Sequence, residues 1–170
     1  NTGRMESVLQ IGGRVWLSPA PPDARRTLRF TWELAEVGGV LMGVNTTMAN
    51  RVVRAVLEAG RLPGLMRYDE LRAEQRLESG SRVDFWLRRG AAQHFIEVKN
   101  CSLVYADRIA YFPDAVSARG KRHLDELANL ARNGRRASVL FVVQRSDARS
   151  VRPSDVHDPA FAAAARLAAR

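Results

Sequence analysis

Residues 82–87 and 94–98 read as two short strands separated by a turn around Gly90, and the second of them carries the tripeptide Glu97-Val98-Lys99. Side chains two apart on a strand share a face, so Glu97 and Lys99 point one way while Ile96 and Val98 point into a core. If the hairpin turns over four residues centred near Gly90 and Ala91, Asp84 lies opposite Glu97, close enough for both carboxylates to bind one ion. A slip of one residue would send the two groups to opposite faces. Two carboxylates suit Mg²⁺ (or Mn²⁺), which takes hard oxygen ligands and keeps waters for a phosphate to displace. An ammonium beside them can hold an attacking water or meet charge building on phosphorus. The competing reading of Glu-x-Lys is a solvated face with a weak surface ion pair.

The elements around this hairpin predict an α/β fold. In the N-terminal part, Val8 to Ser18 contains a strand entered through Gly12 and Gly13, Leu28, Phe30, Trp32 and Leu34 alternate with polar residues, and Gly38-Gly39 turns the chain into Val40 to Val44. These pieces form a small β module, with Trp16 and Trp32 either in its core or on a binding platform. From Asn45 the pattern turns helical. Thr46 or Thr47 caps a helix with Val52, Val53, Val56 and Leu57 at helical spacing, and Gly60 ends it. A second helix starts at Asp114 or Ser117, places Leu124, Leu127 and Leu130 on one face and stops at Gly134. Val139 to Val143 is expected to be a strand buried on both faces. Asp158 and Pro159 open a last, alanine-rich helix in cap and first-turn positions.

Among 170 residues, 27 Lys and Arg stand against 18 Asp and Glu, a net charge of +9. Such an excess favours a polyanion, because each neutralised phosphate releases condensed counterions. Of the basic residues twenty-five are Arg and only two, Lys99 and Lys121, are Lys. A lysine placed against that bias suggests a need for a compact, titratable amine. The longest apolar run, 137–143, is strand-sized, so no membrane span is expected. The lone Cys101 cannot form an internal disulfide, which points to a reducing cytoplasm, and offers no zinc-ligand spacing. The chain begins at Asn1 without an initiator Met and reads as a fragment.

Ordered stretches along nearly the whole chain carry a resemblance: Asn1-Thr2-Gly3-Arg4-Met5, Val44-Asn45-Thr46 with Ala49-Asn50, Ser81-Arg82-Val83-Asp84-Phe85, Ile96-Glu97-Val98-Lys99, Tyr111 to Val116, Arg119-Gly120 and His123-Leu124. By these the chain resembles the sugar fermentation stimulation protein A family. The resemblance implies part of an OB-like β domain over 1–44 and a PD-(D/E)XK nuclease-like mixed sheet flanked by helices over 45–170. Relative to the family, the start of the β domain and a region after Arg170 are missing. It also implies a metal site on Asp84 and Glu97, completed by Glu74, with Lys99 as the catalytic amine. Where the family often has Glu on the first helix this chain has Ala55, with Glu58 one turn later as a substitute, and Lys121 replaces a common Gln.

The expected partner is nucleic acid, taken as DNA. Candidate contacts are Arg119, Lys121 and Arg122 on the second helix, Asn45 and Asn50 at the start of the first, and Arg25 and Arg26 in the β module's loop. For the two asparagines capping is the alternative, and for the cations a solvated face. His123 reads as a general acid or a hydrogen-bonded structural residue, and Tyr111 and Phe112 as base-stacking or core. Three functions follow: Mg²⁺-dependent phosphodiester hydrolysis, non-catalytic DNA binding and regulation, or a sugar-related enzyme. No G-x-G-x-x-G fingerprint supports the last.

Overall fold

The structure, a computed structural model, describes residues 5, 8–23, 25–65 and 67–169, so Asn1 to Arg4 of the N-terminal matching stretch lie outside it. Strands β1 (Arg14–Pro19), β2 (Phe30–Val37) and β3 (Val40–Gly43) form an antiparallel sheet in that order. The β2–β3 turn closes on Val37 paired with Val40, and Gly38 and Gly39 take φ of +58° and +78°, the double left-handed turn that matches strand twist. Ala35, Met42, Val44 and Val8 bury one face, with Trp32 packed against them. The alternating pattern from Thr27 becomes strand only at Phe30, and Val15, Leu17 and Phe30 stay exposed. Trp16 is 38% exposed, whereas Trp32 donates from its indole to the Leu34 carbonyl.

Helix α1 (Thr47–Glu58) follows, and its start differs from expectation in detail. Thr46 occupies the cap position without a side-chain bond; Asn45 Oδ1 instead accepts from the Thr47 amide and hydroxyl. Its end is as expected: Gly60 at φ +64° lets Gly60 and Arg61 amides reach back to Leu57 and Val56 carbonyls. Ala49, Val53 and Leu57 are buried, while Val52 faces solvent.

The central sheet has the order β4-β5-β6-β9, from β4 (Glu70–Arg76), β5 (Arg82–Arg89), β6 (Ala92–Cys101) and, later in the chain, β9 (Arg136–Val143). β4, β5 and β6 form an antiparallel meander, and β9 joins β6 in parallel. Between β6 and β9 run β7 (Leu103–Val104), β8 (Ile109–Phe112) and α2 (Ala118–Arg132); after β9 come β10 (Ser150–Pro153) and α3 (Pro159–Ala168). The short strands β7, β8 and β10 make a third sheet that the sequence pattern did not suggest.

Two apolar layers hold the helices on the central sheet. On one face α1 packs through Ala49, Val53 and Leu57 onto Phe85, Leu87, Ile96 and Val98. On the other, Leu127 and Leu130 of α2 meet Val83, Trp86 and Phe95. β9 meets the expectation in part: Leu140 and Val142 pack on the α1 layer and Ala137 and Val139 on the α2 layer, but its residues are only half-buried, and among the described residues β6 is its one strand neighbour. An edge strand has lost one flank of cover, which its continuous apolar run does not reveal. The β module is tied to this body where the Gly43 amide donates to the Gln144 carbonyl at 2.6 Å and Met42 bridges Arg145.

Candidate functional site

The β5–β6 hairpin has the expected register. Arg89 pairs with Ala92 across Gly90 and Ala91, and the ladder runs to Phe85 opposite Ile96. One step further the strands part, while β6 continues against β9 to Cys101. Beyond that fork Val98 has no β5 partner in the ladder, and its amide donates to Asp84 Oδ2 at 2.6 Å. A buried backbone N–H needs an acceptor, so the carboxylate completes the ladder with its side chain. Its other oxygen, Oδ1, accepts from Asn50 Nδ2 of α1 at 2.7 Å. Burial pushes the Asp84 carboxyl above its ordinary pKa, and the Glu97 carboxylate adds to this; the Val98 amide, Asn50 and Lys99 oppose it.

Ile96 and Val98 enter the α1-side core, and Glu97 and Lys99 face the opposite way, as strand alternation requires. That polar face is not solvated. The Glu97 side chain is 6% exposed and Lys99 13%, and Nζ donates to Glu97 Oε1 at 2.6 Å. His123 of α2 approaches the same oxygen through Nδ1, also at 2.6 Å. Both contacts fall on Oε1. Among the described residues Oε2 accepts none and is not shut away, for His94 Nδ1 is the one fully buried, unbonded polar side-chain atom there.

These groups border a cleft of about 720 Å³ lined by Asn50, Asp84, Glu97, Lys99, Asp114 and Arg119, among others. The starts of both helices reach it. Ser117 caps α2 by accepting the Gly120 amide at 2.9 Å, and its own amide donates at 2.8 Å to Asp158, which also caps α3. Asp158 thus fixes the edge of α2 that carries Arg119 and, one turn on, His123.

The remaining predicted residues disperse. Glu74 does not reach the cleft: its φ of +53° takes it out of strand alternation, its side chain is 61% exposed, and it faces Arg82 at 3.7 Å. Glu58 pairs with Arg54 at the far end of α1. Among the described residues no group of three or more His, Cys, Asp or Glu gathers into a metal-sized cage, which leaves Asp84 and Glu97 as a two-carboxylate set. Asn45 is spent on the helix start and on Glu33, and Asn50 on Asp84, so both asparagines have structural partners. Arg119 is exposed at the cleft, Arg122 is exposed beside it on α2, and Lys121 pairs with Asp125. Arg25 and Arg26 lie in the β1–β2 loop away from the cleft, Arg26 bonded to Thr31.

Three participants were missed or under-read. Asp114 suggested a helix cap but lines the cleft; Asn50 suggested a phosphate contact but orients Asp84; Asp158 was read as a cap for one helix and serves two. The partners of Asn50 and Asp158 lie 34 and 41 residues away in the chain, beyond the reach of local spacing. Tyr111 lines the cleft and donates to Asp107, while Phe112 packs on Phe141 and Phe161.

Comparison with known proteins gives a consistent picture. Residues 47–170 match the model described as the sugar fermentation stimulation protein RE domain, and residues 1–44 match the SfsA N-terminal OB domain. The sugar fermentation stimulation protein homolog of Alkalilimnicola ehrlichii is 47% identical over 99% of this chain and 72% of its own length. That of Thioalkalivibrio sulfidiphilus is 42% identical over 100% of this chain and 72% of its own length. The solved structure of Pyrococcus furiosus SfsA in complex with Ca²⁺ superposes with a TM-score of 0.86 at 27% identity, covering 99% of this chain and 71% of that one.

Proposed function

Given that the chain belongs to the sugar fermentation stimulation protein family, we propose that its cleft binds nucleic acid, DNA in particular, and hydrolyses a phosphodiester bond with a divalent cation, as in a PD-(D/E)XK nuclease. The observation that carries this reading is the meeting of Asp84, Glu97 and Lys99 at the β5–β6 fork, on one cleft of a chain with net charge +9. The carboxylates fit a Mg²⁺ or Mn²⁺ ion: both are hard oxygen donors on adjacent strands, and Glu97 keeps Oε2 unbonded. Two protein ligands are few, which suits an ion that retains several waters. The Ca²⁺ named for the Pyrococcus relative is of the same hard class. When bound, such an ion supplies Lewis-acid polarisation of the phosphate and an acidified water.

The chain's own residues set the geometry. Asn50 and the Val98 amide fix the plane of the Asp84 carboxylate. Burial of Asp84, with the Glu97 carboxylate near it, raises the cost of keeping Asp84 charged, and a cation relieves that cost. Lys99, on a flexible stem beside Glu97, supplies the positive charge to meet the anion that builds on phosphorus. Arg119 at the rim is placed to contact the backbone phosphates that orient the strand.

The test is cleavage of single- and double-stranded DNA against Mg²⁺ and Mn²⁺ concentration, with Lys99→Ala alongside. Cation-dependent cleavage that disappears in Lys99→Ala while DNA affinity is retained supports hydrolysis. Salt-sensitive DNA binding with no cation-dependent cleavage in the parent protein identifies a non-catalytic binding protein instead.

A further inference from the structure

Resting on the hydrolytic reading, we infer that His123 is a positioning residue: it holds Oε1 of Glu97, keeping Oε2 available for a cation and leaving Lys99 free to move from the carboxylate to the substrate. The two donors to Oε1 are equally close, 2.6 Å each, but they differ in what they can do next. Lys99 shares a strand with Glu97 and carries its ammonium on four rotatable methylenes. His123 comes from another element. Its side chain is 7% exposed and its helix is pinned by the Ser117 cap and by Asp158.

A buried carboxylate oxygen whose only donor departs is left unsatisfied, and that penalty would hold the ammonium in place. With His123 present, Lys99 leaves at lower cost, because a donor from a rigid helix remains. The carboxylate can only accept, so Nδ1 carries the proton in this contact. The interaction also fixes which oxygen is engaged by protein donors and which is left for a cation. It has the form of the outer hydrogen bonds that orient metal-binding side chains. His123 acts through Glu97: its Nδ1 is committed to Oε1, and the residue is buried and does not line the cleft.

The experiment uses two variants of the whole chain, His123→Leu, which fills the space without a donor, and His123→Asn, whose amide nitrogen can take the place of Nδ1. Mg²⁺ and Mn²⁺ affinity is measured by calorimetry, single-turnover cleavage and DNA affinity separately, and folding by circular dichroism. His123→Leu is expected to lose about 10- to 100-fold in cation affinity and to slow cleavage at saturating DNA without weakening DNA binding; His123→Asn recovers most of both. A folded His123→Leu protein with parental cation affinity overturns the inference, as does a folded His123→Asn protein no better than Leu. If Leu fails to fold, His123→Phe, a ring of similar size without a donor, takes its place under the same two criteria. A parent protein that takes up no divalent cation overturns the hydrolytic reading itself. A parent that binds and cleaves, matched by both variants, overturns only the role of His123.

Discussion

Removing the carboxylate of Asp158 tests the claim that one side chain ties two helices to the cleft. The residue is 3% exposed; Oδ1 accepts the Phe161 amide at 2.9 Å and Oδ2 the Ser117 amide at 2.8 Å. Asp158→Ala removes the N-cap of α3, a loss of about 1–2 kcal/mol. It also strands the Ser117 amide, for about 1–3 kcal/mol more. The expected total is about 3 kcal/mol, which for a chain of this size lowers the melting temperature by about 6–12 °C. Asp158→Asn keeps one acceptor and turns an NH₂ toward the other amide, so it should fall between the two. Urea unfolding followed by far-ultraviolet circular dichroism reads the difference as a shift in midpoint at constant slope. An Asp158→Ala protein within about 0.5 kcal/mol of the parent, the range of an ordinary surface substitution, refutes the double-cap reasoning.

Two further outcomes follow from buried titratable groups. Cys101 is 1% exposed, its thiol donates to the Tyr111 carbonyl, and burial pushes its pKa up to about 12, with the Asp114 carboxylate adding to the shift. A disulfide reagent at pH 8 should therefore label it only as fast as the fold opens, and immediate stoichiometric labelling of the native protein would contradict this. His94 has its pKa lowered by burial and then by Arg136, and its Nε2 is bonded to Ser138 while Nδ1 has no partner. The folded state therefore resists a proton that the unfolded chain accepts below about pH 6.5. Stability falls as pH drops below that value, by at most about 1.4 kcal/mol per pH unit from this group. Melting curves from pH 7.5 to 5.5 should be steeper for the parent than for His94→Gln; parallel curves would remove His94 as the cause.

Much of the fold was legible because its determinants are local. Glycines at 60, 90 and 134 ended or turned the elements they flank, and Ser117 and Asp158 with Pro159 marked helix starts by their own side chains. Alternation along 94–98 correctly separated Ile96 and Val98 from Glu97 and Lys99. The strands β7, β8 and β10 were not legible: they are two to four residues long, too short for a period to show. β9 packs on both layers as its apolar run implies, but it is only half-buried because it borders the sheet, a place set by topology and not by the run itself. Glu74 failed for another reason. The family resemblance implied it as a further ligand, but its backbone has a positive φ and its side chain faces Arg82.

The site itself was half legible, and the division has a physical basis. The spacing of Asp84, Glu97 and Lys99 follows from one hairpin and strand alternation, so the sequence suffices. Their orientation follows from the fork, where β5 leaves β6 after Phe85 and the Val98 amide turns to Asp84. A ladder that continued would satisfy that amide with a backbone carbonyl, and Asp84 would have no backbone donor to fix its plane. The departure of the strand thus opens the cleft and aligns the first carboxylate at the same point. The second carboxylate lies on the strand that continues and has no such backbone donor. It is aligned instead by side chains, Lys99 from its own strand and His123 from α2. Substitutions in α2 should therefore disturb Glu97 before Asp84, whereas changes at Asn50 should disturb Asp84 alone.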